Sequence, residues 1–136
     1  MHRFVGFLNA HRLLRDVEPH RQRAVLCDLI RIADISWHGV ELNRPDWGPS
    51  SHSIAFAATV SGMSFHIIFN AYWKPLEFEL PWVSRDGRTP WHRWIDTFLD
   101  SPHDIIDWDE APVVSGNRYR VEPRSVVALF ASPARR

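Results

Sequence analysis

The amino-acid sequence predicts a mainly β fold: an antiparallel β-sandwich, Greek-key-like, of about seven to eight strands, preceded by one N-terminal α-helix. Three observations carry this. Phe4, Phe7, Leu8, His11 and Leu14 recur at the spacing of a single helical face. Ile54, Phe56, Ala58 and Val60 occupy alternate positions, Ser61-Gly62 supplies a turn, and Phe65, Ile67 and Phe69 alternate again, the pattern of a hairpin. After residue 34 the strand signals are not interleaved with helical ones, so the crossovers of a parallel sheet are missing.

The elements follow in chain order. The helix runs through Arg15 and is ended by Asp16 and Val17-Glu18-Pro19, because a residue before proline is pushed out of helical geometry. Within residues 21–33, Val25, Leu26, Leu29 and Ile30 have helical spacing, yet their β-branched content suits an extended connection equally. After the hairpin, Leu76, Phe78 and Leu80 face one way and Glu77 and Glu79 the other, so this strand has one wet face and ends at Pro81. A strand over Trp91 to Thr97 follows the turn residues Asp86-Gly87. Ser115-Gly116-Asn117 separates Val113-Val114 from Tyr119 and Val121, which predicts a second hairpin. Ser125 to Ala131 is an apolar run expected to be the last, buried strand, and Pro133 to Arg136 a fraying tail.

Composition narrows the function classes. The chain has 136 residues, one domain's worth, and its 45% hydrophobic content is enough for a core without staples. Sixteen basic and sixteen acidic residues cancel, so no whole-chain field draws in nucleic acid or an anionic membrane. No apolar run approaches the ~20 residues of a membrane helix. The single cysteine, Cys27, cannot form an internal disulfide, which fits a reducing compartment, and a cytoplasmic location is expected. Seven tryptophans in so short a chain demand a large aromatic core or a flat ligand surface.

The chemistry-bearing residues form no recognisable catalytic set. The eight histidines show no metal-ligand spacing, and neither a metal nor a cofactor is expected. Cys27 lies among apolar residues that would keep its thiol protonated and inert. Asp104, Asp107, Asp109 and Glu110 lie in a stretch bounded by Pro102 and Pro112, which reads as a solvated loop. Such carboxylates do glycosidic acid–base work only when held across a cleft at a set separation.

Several segments are distinctive together. Asp34-Ile35-Ser36-Trp37-His38-Gly39-Val40 is followed by Pro45-Asp46-Trp47, then Asn70-Ala71-Tyr72-Trp73, Phe78-Glu79-Leu80-Pro81 and Trp91 to Thr97. Tyr119-Arg120-Val121 and Arg124-Ser125-Val126-Val127 close the series. In this order and spacing they resemble the C-terminal region of bacterial glycogen debranching enzymes of the isoamylase type, in the α-amylase superfamily.

The resemblance implies a boundary and a role. Residues 1–33 correspond to the end of the catalytic-barrel region, the last barrel helix plus a linker. Residues 34–132 correspond to the C-terminal β-sandwich, and 133–136 to a tail. A (β/α)₈ barrel needs about 250 residues, so it does not fit here, and the family's catalytic carboxylates, which lie on barrel strands, have no counterpart in this chain. The implied function is an accessory β-sandwich of an enzyme hydrolysing α-1,6-glucosidic branch links, non-catalytic by itself and packed on the barrel of its parent chain. The alternative is a freestanding carbohydrate-binding module that recognises α-glucan through exposed Trp47 and Trp73, which stand beside polar or Pro-rich turns. Trp37, Trp91 and Trp94 lie in strands and are expected in the core or against the barrel. Without a barrel, the stripe of Phe4, Phe7, Leu8 and Leu14 is expected to form a weak homodimer.

Overall fold

The computed structural model describes residues 2–17, 34–60, 62–85, 87 and 89–132. The chain divides into two compact units, Met1–Ala33 and Asp34–Arg136. In the first, helix α1 spans His2–Val17. Phe4 and Phe7 are half-buried, Val5 and Leu8 are exposed, and the Arg3 guanidinium lies 5.5 Å from the centre of the Phe7 ring. The side chains of His11 and Leu14, the segment 21–33 with Cys27, the turn residues Ser61 and Asp86, and the tail 133–136 fall outside the described residues.

The described residues of the second unit form seven strands: β1 Asp34–His38, β2 Ser53–Val60, β3 Met63–Asn70, β4 Leu76–Glu79, β5 His92–Asp96, β6 Arg118–Val121 and β7 Ser125–Ala131. They form a five-stranded sheet in the order β1-β2-β3-β7-β5 and a two-stranded sheet of β4 and β6. Each strand pairing is antiparallel. The β2–β3 hairpin has the expected register, Val60 opposite Met63, with Gly62 supplying the positive φ of 81° at the turn.

One predicted hairpin does not form. Val113 and Val114 make no strand; Val113 contributes an isolated bridge to His92. Instead β6 pairs with β4, Tyr119 opposite Phe78 and Val121 opposite Leu76. Gly116, with φ 81°, turns the chain as expected, but the segment before it is claimed by β5: the Arg93 N–H donates to the Pro112 carbonyl and the Val114 N–H to the Trp91 carbonyl. A turn signal marks where the chain reverses and leaves open which strand the outgoing segment joins.

The core lies between the two sheets. Ala55, Ile68, Val127, Leu129 and Ala131 come from the large sheet, Phe78 and Val121 from the small one, with Leu80 and Trp91 closing one end. Phe78 and Leu80 are buried and Glu77 is exposed, so the alternation of this segment does report its wet face. The Trp91 indole N–H donates to the Pro81 carbonyl at 2.9 Å, satisfying the polar atom of this buried ring.

Two strands cover only part of five, and the register shows what this leaves. On β2 and β3 the residues facing the small sheet are small or polar: Ala55, Ala57, His66, Asn70, with Ile68 the large exception. The opposite face carries Phe56, Phe65, Ile67 and Phe69, continued on β1 by Trp37. The more hydrophobic face of the sheet therefore points away from its partner sheet. Over β7 and β5 this outer face is closed by residues 105–108: Ile105 bridges Ile95 and is buried, and Trp108 stacks on Phe130 at 5.1 Å. Over β1 to β3 it stays half-buried, with Trp37 46% and Phe69 40% exposed.

Candidate functional site

Three tryptophans stand out from the surface, each held by a different device. Trp47 follows β1 in a turn that Gly39 makes possible, since a Cβ there would lie 2.3 Å from the Arg44 carbonyl oxygen. His38 accepts a hydrogen bond at Nδ1 from the Asn43 N–H at 2.9 Å, and Asp46 Oδ1 accepts one from the Gly48 N–H at 2.9 Å. The turn sets Trp47 edge-on to Trp37, ring centres 5.4 Å apart, and leaves Trp47 66% exposed.

Trp73 sits just past β3. Its turn is organised by Asn70, which is 1% exposed: Oδ1 accepts from the Tyr72 N–H, and Nδ2 donates to the carbonyls of Lys74, Val121 and Glu122. Trp73 packs on Tyr72 at 4.0 Å and on His52 at 5.9 Å and is 61% exposed. The two tryptophans singled out from the sequence are thus both exposed, each with its own aromatic neighbours.

Trp82 escaped the sequence reading and is the most exposed of the three, at 72%. It follows Pro81 where β4 gives way to a turn. The same signal that marked Trp47, a tryptophan beside a proline at a turn, was available for it.

Of the tryptophans expected in the core or against the barrel, Trp37 lies on the outer sheet face, Trp91 is buried, and Trp94 is half-buried against Trp108. Asp107, Asp109 and Glu110 are exposed in the loop that covers β5, with Trp108 as its inward anchor. Among the described residues no group of three or more His, Cys, Asp or Glu side chains gathers as a metal site requires.

The structure does bring together two histidines that look unrelated in sequence. His38 on β1 and His66 on β3 are both buried, ring centres 5.6 Å apart, reaching across β2 where Ala55 and Ala57 leave room. Burial pushes the His66 pKa down to about 3, with the facing His38 adding to the effect, and burial lowers that of His38 as well. Both rings are therefore neutral near pH 7. His38 donates at Nε2 to Ser36 Oγ, the tautomer that its accepting Nδ1 requires. Among the described residues, neither ring nitrogen of His66 has a hydrogen-bond partner.

The fold and these surfaces define a mainly β, sandwich-like domain of antiparallel strands with aromatic groups on its exterior. Residues 36–128 match the family model described as Isoamylase 1-3, C-terminal, and the chain belongs to that family. It is thereby related to the bacterial and plant glycogen debranching enzymes of the α-amylase superfamily. Isoamylase 3, chloroplastic, from Oryza sativa subsp. japonica is 31% identical over 104 residues, which are 74% of this chain. The chain spans 12% of that protein's length. Among solved structures, a GH30 endoxylanase from Clostridium papyrosolvens C71 superimposes with a TM-score of 0.42 at 12% identity, over 63% of this chain and 22% of that one.

Proposed function

We propose that this chain is the C-terminal accessory β-sandwich of a debranching enzyme that hydrolyses α-1,6-glucosidic links, non-catalytic by itself, and that the outer face of its five-stranded sheet packs on the catalytic barrel of the parent protein. One observation carries the reading. Phe56, Phe65, Ile67, Phe69 and Trp37 form a continuous apolar face directed away from the small sheet, and over β1 to β3 it is incompletely buried. Apolar patches of this kind mark interfaces. Family membership and the small share of the rice isoamylase that the chain spans support a barrel as the partner. The same reading puts the protein in the cytoplasm, where Cys27 stays reduced.

The test compares the parent enzyme with the isolated chain. Phe56→Ser with Phe69→Ser is expected to lower the thermal midpoint of the parent and to free this domain to limited proteolysis, with a smaller effect on the isolated chain. Equal effects in both would overturn packing through this face. A stop codon directly upstream of residue 1 would overturn the parent itself. The isolated chain is expected to release no reducing sugar from branched glucan.

A second reading, a module that binds α-glucan, is favoured by the exposure of Trp47 and Trp73 with aromatic rings beside each. Its test is a maltoheptaose titration of the isolated chain in which Trp47→Ala or Trp73→Ala abolishes the response.

A further inference from the structure

Trp82 does not stand alone: it forms one wall of a cleft of about 250 Å³ at the end of the sandwich where Leu80 and Trp91 close the core. Three segments line the cleft, the turn after β4, the approach to β5 and the approach to β6. They are tied to one another by hydrogen bonds. The Leu80 N–H donates to the Asn117 carbonyl at 2.8 Å, the Val114 N–H to the Trp91 carbonyl at 2.8 Å, and the Trp91 indole to the Pro81 carbonyl.

The Trp82 ring is fixed from behind. Gly87 has φ 65°, and a Cβ added there would stand 3.0 Å from Cζ3 and 3.3 Å from Cε3 of the indole, so only glycine leaves room beside the six-membered ring. Pro81 precedes Trp82 and Pro90 also lines the cleft, which restricts the surrounding chain. An exposed indole with a fixed neighbour on one side loses less conformational freedom when a ligand covers it.

The described part of the cleft's lining is neutral. Every described residue lining it is uncharged. At its polar positions, the Thr89 hydroxyl and the Asn117 carboxamide have no hydrogen-bond partner among the described residues. A flat aromatic face edged by uncharged donors and acceptors matches a pyranose ring, whose C–H face is apolar and whose rim carries hydroxyls. The volume lies below the roughly 300 Å³ at which pockets for whole small molecules begin, so the cleft suits a ring or two of a longer chain.

From these observations we infer that the Trp82 cleft, with Thr89 and Asn117 at its edge, is a binding subsite for a short stretch of neutral α-glucan. The choice of α-glucan over other neutral sugars rests on the glucan-binding reading above; the site does not. The cleft shares no residue with the outer sheet face, so sugar can occupy it while that face is covered.

The experiment is a titration of the 136-residue chain with maltoheptaose, followed in ¹H–¹⁵N spectra at the indole signals of its seven tryptophans and the Asn117 side-chain amide. The Trp82 and Asn117 signals should move together and saturate at millimolar sugar. Trp82→Ala should weaken binding about tenfold, the loss of one stacking contact. Asn117→Ala should weaken it less, and Trp82→Phe should retain part of the affinity. Trp82 is so exposed that its variants should keep the wild-type thermal midpoint. Shifts confined to Trp47 or Trp73 would overturn this site and leave the glucan-binding reading standing. Absence of any saturable shift would overturn both, and unchanged affinity in Trp82→Ala would overturn the site alone.

Discussion

The Tyr119 hydroxyl on β6 donates a 2.7 Å hydrogen bond to Asp96 Oδ2 on β5, so one side-chain pair joins the small sheet to the edge strand of the large one. The other carboxylate oxygen accepts from the Phe98 N–H at 3.1 Å, which orients Asp96 from its own strand end. Burial, and then the hydrogen bond and charge of Asp96, raise the Tyr119 pKa well above the usual tyrosine range. The phenol thus stays protonated, and a donor, at neutral pH. For an acid whose folded pKa is raised, the linked stability is full below the unfolded pKa of about 10 and declines as pH rises beyond it.

Tyr119→Phe removes the donor and leaves a buried carboxylate short of one partner. We expect a loss of about 1.5–3 kcal/mol in urea unfolding at neutral pH, the range for a hydrogen bond to a charged group. A loss below about 0.5 kcal/mol would mean that water replaces the phenol and that this pair adds little to the joining of the two sheets.

His66 should make the domain acid-labile. Its folded pKa of about 3 lies below the unfolded value of 6.5, so the unfolded chain takes up the proton first. Stability is full above about pH 6.5 and falls as pH drops toward 3, by about 1.4 kcal/mol per pH unit for one such group. His66→Leu removes both unpartnered nitrogens and should flatten this slope without destabilising the neutral-pH protein. Urea midpoints of both proteins at several pH values across that window provide the check; parallel curves would assign the acid sensitivity elsewhere.

Asn70 is the counterpart of His66: a buried polar side chain with both its oxygen and its nitrogen hydrogen-bonded. Asn70→Ala leaves three carbonyls and one N–H without their partner and should cost about 2–3 kcal/mol. Because the same contacts hold the turn after β3, the Trp73 indole signal should broaden in this variant while that of Trp82 does not.

Phe78→Ala should cost about 3–5 kcal/mol, since the ring is fully buried between the sheets. Glu79 faces the other way but is not idle. Its Oε1 accepts from Arg118 at 2.8 Å and its Oε2 from the Leu42 N–H at 3.2 Å, so Glu79→Ala should cost about 1 kcal/mol. Equal losses from the two variants in thermal or urea unfolding would refute the assignment of faces on β4.

Much of this was open to reading along the chain. The period of two in β2, β3 and β4 and the helical spacing of α1 follow from how successive side chains project from an extended or helical backbone, a local property. The choice of Trp47 as an exposed ring came from its polar, proline-bearing turn, and Trp82 had the same signature unread. His38 and His66 left no such trace, because the two residues meet only across a strand whose alanines make space.

The sequence by itself determined which residues share a face, where the chain turns, and that the strands assemble into an antiparallel sandwich behind one helix. Tertiary structure decided which face of each strand meets the other sheet and which strands pair. Alternation groups residues without saying which group goes inside, so the aromatic face of β2 and β3 turns outward where a two-stranded sheet cannot cover five strands. Pairing is likewise a competition between distant segments: Tyr119 and Val121 join β4, some forty residues back, because the nearer Val113 and Val114 are already hydrogen-bonded or bridged to the start of β5.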